Sequence, residues 1–488
     1  MAEHDHHGMN EPPGLARFCS PDHEGEHEAA RPGRFGRMFG GTLPPNYTRP
    51  DLLTLIGQKG GPMDGGPGSD RTDTVPVGQV FFGQFVDHDI TLDVVSSLSR
   101  NQRAADTPNA RTPTLDLDCI YGDGPEAQPY LYDADGVKLL TGADVPGAGV
   151  TQQNDLLRSV NGRAMIGDPR NDENRVVSQL QLGMIRFHNA MADKLAKKPN
   201  GPSADELFEV TRREVTWHYQ WCVVFDFLSA MCGRPVVEDI LANGRTLYCH
   251  VSEPYIPVEF AVAAYRFGHS MVPMQLQVQL RGSSYELFGN ALGQGFSQVG
   301  QKEAIVDWHE LFDTDADRIV QRAEKLDTKM ASDLLALPFV TSGERSLATR
   351  NLLRGNVFRL PAGEAVAELV AAATEVDAQV DTVMDRVRSL SEDAVAGTSI
   401  PPIDTGAPLW LYLLAEAEII GRAEPGGGHN PGEGLGPVGA RIVAETLIGL
   451  LELDEHSFLG ANRNWMPTPD YASIGAILAS TNWPGLPT

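Results

Sequence analysis

Basic residues are scarce in this chain of 488 residues: 39 lysines and arginines stand against 65 aspartates and glutamates, for a formal net charge of −26. Proteins that bind nucleic acids begin by neutralising phosphates with basic side chains, so this balance argues against a nucleic acid partner. An anionic membrane surface is disfavoured for the same reason.

Long apolar runs and CxxC pairs are also missing, and we expect no signal peptide. No run approaches the ~20 apolar residues needed to cross a bilayer, and residues 1–7 lack the basic and apolar regions of a signal peptide. The five cysteines form no CxxC pair, which is typical of a reduced protein rather than a disulfide scaffold. We therefore expect a cytoplasmic protein without a membrane span, although secretion without an N-terminal signal would also fit.

The apolar pattern divides the chain into two regions. Residues 1–75 are rich in Gly, Pro, His and charge, which predicts a loop-rich N-terminal arm. Its histidines are more typical of a solvated tail than of a metal site; they are His4, His6, His7, His23 and His27. Residues 76–488 predict a single, mainly helical domain with few short strands. One helix is predicted to begin at Val77, and five others are predicted over 173–195, 204–231, 255–275, 364–392 and 438–453. Residues 101–160 are predicted to be loop.

The segment of residues 83–89, Gly-Gln-Phe-Val-Asp-His-Asp, concentrates polar groups in an otherwise apolar helical stretch. Burying such groups costs free energy unless they are paired or bind something. Gln84 and His88 lie one turn apart and can face the same cavity, whereas Asp87 and Asp89 point to either side of His88. An exposed helix end, with His88 capped by one aspartate, is the alternative. A zinc site is less well supported because no HExxH pattern or thiolate pair accompanies the segment.

This string resembles the distal helix of the animal-type haem peroxidases, the peroxidase–cyclooxygenase superfamily. The resemblance implies that His88 is the acid–base residue and that Gln84 holds a distal water or a halide. It also implies that Asp87 forms an ester with a haem methyl and that Asp89 binds calcium. A neutral imidazole suits peroxide cleavage, because a proton must leave one oxygen and return to the other.

Four further stretches resemble the family in the same order, and the first is a calcium loop over residues 111–122. The resemblance implies that the Thr114 carbonyl, Asp89 and other oxygen donors of this loop bind calcium; the others are Thr112, Asp116 and Asp118. Calcium is a hard cation that takes roughly six to eight oxygen ligands. Asp118 stands where mammalian members have serine, which makes the site more negative. An ordinary turn rich in aspartate is the alternative.

The second stretch covers residues 167–173. By resemblance, Arg170 is the catalytic distal arginine and Glu173 the second carboxylate esterified to haem. Both stand at the start of a predicted helix and can face one cofactor. A fixed guanidinium stabilises negative charge that develops as the O–O bond breaks. A helix cap with an exposed ion pair is the alternative. Asn174 replaces the methionine that forms a sulfonium link in one mammalian member, so this bond should be absent.

The third and fourth stretches, residues 264–270 and 347–355, resemble the proximal side of the family's haem site. His269 corresponds to the ligand of haem iron and Asn351 to the asparagine that accepts a hydrogen bond from it. Arg266 and Arg354 correspond to partners of the haem propionates. Without the family, His269 would be interpreted as a core histidine and Asn351 as a cap or turn residue. After residue 355 the sequence departs from the mammalian pattern.

The resemblance covers about residues 75–460. It implies a haem b peroxidase that reduces hydrogen peroxide through a ferryl intermediate and oxidises a small organic donor or a halide. The implied cofactors are haem b, ester-linked through Asp87 and Glu173, and Ca²⁺. One alternative is a fatty-acid dioxygenase, which needs a radical tyrosine three residues before the proximal histidine, where this chain has Arg266. The other is a non-catalytic, calcium-stabilised haem or adhesion protein.

Overall fold

The computed structural model describes residues 33–68, 70–93, 98, 102–248, 253–293 and 295–487. The five histidines of the predicted arm lie outside these residues; they are His4, His6, His7, His23 and His27. Cys19 and Cys249 lie outside them as well. Within the described part of the chain, no helix is both long enough and apolar enough to span a membrane.

Helices dominate the described residues and the strands are few and short, which confirms the predicted fold class. The α-helices are α1 (Pro50–Gly57), α2 (Val77–Ile90), α3 (Asp118–Tyr121), α4 (Val150–Gln153), α5 (Arg175–Ala196), α6 (Leu207–Trp221), α7 (Arg234–Asn243), α8 (Leu347–Val357), α9 (Gly363–Thr374), α10 (Val380–Val395), α11 (Leu409–Ile419), α12 (Pro437–Leu453), α13 (Phe458–Ala461) and α14 (Ile474–Ala479).

The strands form three small antiparallel pairs. They are β1 (Arg71–Pro76), β2 (Gln275–Gln277), β3 (Ser284–Glu286), β4 (Arg322–Glu324), β5 (Arg422–Ala423) and β6 (His429–Asn430). β1 pairs with β4, β2 with β3, and β5 with β6. In the first pair Arg71 lies opposite Glu324 and Pro76 opposite Arg322, with an irregularity between them. β1 runs directly into α2, so this pair lies at the start of the helix that carries His88.

Two predicted helices keep their position but change their hydrogen-bond pattern. The helix predicted over 204–231 is α6, followed by π-helical turns at Cys222–Phe227 and Ser229–Gly233. The helix predicted over 255–275 is shorter, with a π-helical turn at Glu259–Ala263 and a 3₁₀ segment at Ala264–His269. Both changes lie beside α2. Turns of the π and 3₁₀ type within helices often mark functional sites.

One other prediction was wrong in part. The single helix predicted over 364–392 is divided into α9 and α10, because Glu375 and Gln379 adopt left-handed conformations between them, with φ of 58° and 42°. The arm predicted over 1–75 to be loop-rich contains α1. Its buried Leu52, Leu53 and Ile56 pack in the core, and α1 contacts α8 and α10. The domain boundary near residue 75 stays a prediction.

The core places α2 between the two halves of the predicted haem site. α2 is buried on nearly all sides and contacts α5, the π-turn Cys222–Phe227 and the segment Ala264–His269. α8 packs against the π-turn Glu259–Ala263, just before that segment. The four predicted haem-site stretches therefore meet around one part of the core, although they are distant in sequence.

Candidate active site

His88 lies in the last turn of α2 and is only 5% exposed. Its Nδ1 lies 2.7 Å from Oδ1 of Asn171. Nδ2 of Asn171 donates to Oε1 of Gln181 at 2.9 Å, and Nε2 of Gln181 donates to the carbonyl oxygen of Cys119 at 3.0 Å. Because a carbonyl can only accept, this order of bonds makes Asn171 the acceptor and Nδ1 of His88 the donor.

The other ring nitrogen of His88 is left free for chemistry. Among the described residues, Nε2 has no hydrogen-bonding partner. In a neutral imidazole with its proton on Nδ1, Nε2 carries the lone pair. His88 can therefore accept a proton at Nε2 from a ligand bound in front of it.

Gln84 lies one turn before His88, as predicted, but protein groups engage both ends of its amide. Nε2 of Gln84 donates to Oε1 of Glu173, and Oε1 accepts from Nδ2 of Asn174 at 3.1 Å. Asn174 is also the N-cap of α5, since its Oδ1 accepts from the backbone N–H of Val177. The amide of Gln84 keeps one N–H for a halide, and that N–H or a second oxygen lone pair for a water. That role stays a prediction.

Arg170 lies against the carboxyl end of α2. Its Nη2 donates to the carbonyl oxygens of His88 at 3.0 Å and Thr91 at 2.6 Å, and it lies 2.7 Å from Oδ2 of Asp168. Burial disfavours ionisation of Asp168, yet the hydrogen bond and charge of Arg170, with Arg111, hold the pKa of Asp168 below its ordinary value. Among the described residues Nη1 of Arg170 has no hydrogen-bonding partner, so a catalytic role would fall to that atom.

On the predicted proximal side, His269 ends the 3₁₀ segment and meets α8. Nδ1 of His269 lies 2.8 Å from Nδ2 of Asn351, and Nη1 of Arg266 lies 3.4 Å from Oδ1 of Asn351. In this orientation the amide donates to Nδ1. An imidazole that binds a metal through Nε2 carries its proton on Nδ1, so a half-turn of the Asn351 amide would then present Oδ1 as the acceptor.

Two partly buried guanidinium groups accompany His269. Burial, followed by the charge of Arg354, lowers the pKa of Arg266 to about 10. Within the described residues Arg266 forms no salt bridge, and it donates to the carbonyl oxygen of Ala261 at 3.0 Å. Arg354 lies 3.3 Å from the carboxylate of Asp93, and burial lowers its pKa as well. This concentration of desolvated positive charge suits the carboxylates of a ligand.

The predicted calcium ligands come together at the N-terminal end of α3. Carboxylate oxygens of Asp89, Asp116 and Asp118 all lie within 4.8 Å of one another. Oδ1 of Asp89 and Oδ1 of Asp118 are buried without a hydrogen-bond partner among the described residues. The hydroxyls of Thr112 and Thr114 donate to Oδ2 of Asp116 at 3.0 and 2.9 Å.

The electrostatics of this cluster favour a cation. Burial, followed by the charge of Asp116, raises the pKa of Asp89 to about 8. Burial and the charge of Asp116 also raise the pKa of Asp118, and burial raises that of Asp116. Buried carboxylates that repel one another and keep unpaired oxygens suit a hard cation such as Ca²⁺. The contribution of the Thr114 carbonyl stays a prediction.

Sequence comparison assigns the family. Residues 97–361 match the family described as animal haem peroxidase. The chain belongs to this family. The matched residues contain the predicted calcium loop and the regions of Arg170, His269 and Asn351, which confirms the resemblance proposed from the motifs. His88 precedes the matched residues, so its assignment depends on its own motif and on the geometry described above.

Curated relatives match only parts of this peroxidase-family chain. Dual oxidase 2 of Homo sapiens is 29% identical over 202 residues, which are 39% of this chain and 12% of that protein. Eosinophil peroxidase of Mus musculus is 30% identical over 123 residues, 25% of this chain and 17% of that protein. The chain therefore covers less than a fifth of the length of either relative.

Solved structures share the whole fold at low identity. Peroxidase A from Dictyostelium discoideum has a TM-score of 0.61 at 15% identity and covers 96% of this chain and 98% of that chain. The fatty acid alpha-dioxygenase of Oryza sativa has a TM-score of 0.60 at 16% identity and covers 97% and 84%. At such identities the likeness concerns the fold alone, and this fold serves both a peroxidase and a dioxygenase.

The side chains of this peroxidase-family fold fit a bound haem. Glu173, Arg266 and His269 keep accessible surface, yet burial is the largest cause of each pKa shift. It raises the pKa of Glu173 and lowers that of His269 to about 3, which keeps the imidazole neutral. Asp87 is also half-exposed, and only its Oδ1 is engaged, by the hydroxyl of Thr91 at 2.9 Å.

Three residues of the site were not predicted from sequence: Asp168, Asn171 and Gln181. Asp168 stands two residues before Arg170 and Asn171 directly after it, within a stretch that the resemblance had already marked. Gln181 gave a separate signal, because a fully buried glutamine inside the apolar stretch of α5 requires partners for its amide. That signal does not say which partners they are.

Proposed function

We propose that this protein is a haem peroxidase that reduces hydrogen peroxide with electrons from a small organic donor or a halide. The observation that carries the proposal is the hydrogen bonding of the His88 ring. Its Nδ1 lies 2.7 Å from Oδ1 of Asn171, which the order of amides makes the acceptor, and among the described residues its Nε2 has no hydrogen-bonding partner. A histidine that acts as general base toward peroxide needs one ring nitrogen oriented by a hydrogen bond and the other able to accept a proton.

His269 would hold the haem iron through Nε2, and Arg266 and Arg354 would bind the propionates. Iron bound there would supply the redox chemistry of O–O cleavage. Nε2 of His88 would take the proton from one peroxide oxygen and deliver it to the other, which leaves as water. Nη1 of Arg170 would face the negative charge that develops on the departing oxygen.

We also propose Ca²⁺ at Asp89, Asp116 and Asp118. Asp89 directly follows His88, so a cation held there would tie the last turn of α2 to the loop of residues 111–122. The cation would compensate the repulsion among the three carboxylates and occupy their unpaired oxygens. Its role would be to hold His88 in place rather than to react with peroxide.

A fatty-acid dioxygenase shares the fold but is less well supported by the side chains. Arg266, not a tyrosine, stands three residues before His269. The hydroxyl of the neighbouring Tyr265 donates to the carbonyl oxygen of Gly83 at 3.2 Å, and its ring stacks on Phe260. Oxygen uptake with a fatty acid in the absence of peroxide would favour the dioxygenase.

The decisive experiment compares wild type with His88→Ala in peroxide-dependent oxidation of guaiacol. We expect kcat/KM for peroxide to fall about 10²–10⁴-fold, the usual contribution of a general base. A Soret band with a pyridine haemochrome assay would show that the variant retains haem. The exposed His429→Ala serves as the matched control. Unchanged activity in His88→Ala would overturn the mechanism, and an inactive wild type with bound haem would favour a non-catalytic haem protein.

A further inference from the structure

His88 is one end of a buried chain of amide groups that ends on a backbone carbonyl. The bonds run from Nδ1 of His88 to Asn171, from Asn171 to Gln181, and from Gln181 to the carbonyl oxygen of Cys119. Asn171 and Gln181 have no exposed surface. The chain crosses from α2 to α5 and then to the loop that carries the calcium candidates.

The order of donors in this chain is determined from its far end. The carbonyl of Cys119 accepts, so Nε2 of Gln181 faces it and Oε1 of Gln181 faces Asn171. Nδ2 of Asn171 then donates to that oxygen, which leaves Oδ1 to accept from His88. Turning either amide would bring two donors or two acceptors together in a dry environment, where unsatisfied polar groups cost free energy.

Other charged groups around His88 do not replace this acceptor. Arg170 contacts only the backbone oxygen of His88, at 3.0 Å. Glu173 influences His88 electrostatically, but its Oε1 accepts from Gln84. Asp89 accepts from the backbone N–H of Leu117 instead. Among the described residues, Asn171 is therefore the one hydrogen-bonding partner of the His88 ring.

We propose that Asn171, held by Gln181, is a positioning residue that keeps His88 in the tautomer with its proton on Nδ1 and its ring plane fixed. The proposal rests on the proposed peroxidase function. Without this acceptor, the ring can rotate and can carry its proton on Nε2. That nitrogen then has no lone pair with which to accept a proton from peroxide. The effect should fall on the peroxide step and spare the later oxidation of the donor.

The test uses Asn171→Leu, Asn171→Asp and Gln181→Met in the haem-loaded full chain. Leucine keeps the branching and the number of side-chain heavy atoms but cannot accept a hydrogen bond, whereas aspartate keeps an oxygen toward Nδ1. Methionine at position 181 removes the anchor of Asn171 without touching His88. The exposed Asn462→Leu is the matched control. Stopped-flow absorbance would give the second-order rate constant with hydrogen peroxide, and the rate of donor oxidation would be measured separately.

We expect the peroxide rate constant of Asn171→Leu to fall about 10–100-fold, as for other residues that orient a reactive histidine. Gln181→Met should show a smaller loss, and so should Asn171→Asp, which keeps an acceptor for Nδ1 of His88 but sets an oxygen against Oε1 of Gln181. Binding of hydrogen cyanide, which must also lose a proton to a base, should slow in parallel. The donor step should change less than twofold, a pattern that general damage to the fold would not produce.

The outcomes separate this inference from the proposed function. If wild type reacts with peroxide and His88→Ala does not, but both Asn171→Leu and Gln181→Met react at the wild-type rate, the positioning role is overturned and the peroxidase function stands. If wild type itself fails to react, both fail together. If Asn171→Leu loses its haem, the test of the positioning role depends on Gln181→Met alone. A lower rate constant with peroxide in Gln181→Met would support the proposal, and an unchanged rate constant would contradict it.

Discussion

Nδ2 of Asn351 lies 2.8 Å from Nδ1 of His269, although 82 residues separate the two in sequence. α8 carries Asn351 and packs on the π-turn Glu259–Ala263, which precedes the segment of His269. The contact gives His269 a fixed ring orientation within a desolvated environment. Such outer partners of a metal ligand orient the ring and strengthen metal binding.

Asn351→Leu should therefore weaken haem retention about 10–100-fold, because His269 loses the group that orients it. Transfer of haem from the loaded protein to excess apomyoglobin would measure the dissociation rate. Asn462→Leu, at an exposed position, should release haem at the wild-type rate. Equal rates in Asn351→Leu and wild type would show that the contact is not used in haem binding.

Removal of calcium should destabilise the protein, because Asp89, Asp116 and Asp118 would face one another without compensation. Saturating Ca²⁺ at about a hundredfold excess over its dissociation constant should add about 2.7 kcal/mol to the free energy of unfolding. Thermal unfolding in chelator and in Ca²⁺ would measure the difference. The increase in the free energy of unfolding on adding Ca²⁺ should be smaller in Asp116→Asn and unchanged in Asp205→Asn, at an exposed position. A melting temperature independent of Ca²⁺ in wild type would argue against the site.

Ester links to haem should form only through carboxylates, so they can be tested by substitution of Asp87 and Glu173. After wild type is treated with peroxide, acid–acetone should fail to extract the haem. Asp87→Asn and Glu173→Gln should each retain the haem through the remaining ester, and extraction should become complete in the double variant. Asp205→Asn should behave as wild type. Free haem in the organic layer from peroxide-treated wild type would contradict both links.

Glu416 should make stability depend on pH. Burial raises its pKa from an ordinary value of 4.5 to about 7, although the N–H groups of Val438 and Gly439 donate to it. A raised folded-state pKa means that the folded protein holds a proton which the unfolded chain releases. The free energy of unfolding should therefore fall as pH rises from about 4.5 to about 7, by on the order of 3 kcal/mol from this group.

Glu416→Gln isolates that effect, because glutamine resembles the protonated acid and does not titrate. Denaturant unfolding between about pH 4.5 and pH 8 should show a flatter profile in Glu416→Gln than in wild type. The exposed Glu126→Gln should keep the wild-type profile, because its side chain is hydrated in both states. Parallel profiles for wild type and Glu416→Gln would mean that the folded-state pKa of Glu416 is not raised.

The helices that were predicted correctly are those in which apolar residues recur with the helical period on one face. α5 matches its predicted range closely, because one face of this helix is apolar and the other polar. α11 was not predicted. Nearly all of its residues are buried, from Leu409 to Ala417, so no polar face gives the helical period. The division between α9 and α10 was also missed, because the two left-handed residues between them, Glu375 and Gln379, are not glycines.

The sequence by itself determined the acidic balance, the helical class and the short strings that place Gln84 one turn from His88 and Arg170 beside Glu173. These features follow from composition and from the period of one helix, which are local. Only the tertiary structure decided that Asn171 and Gln181 reach His88. A hydrogen bond between separate elements depends on how those elements pack, to within about an ångström, and no local pattern carries that information.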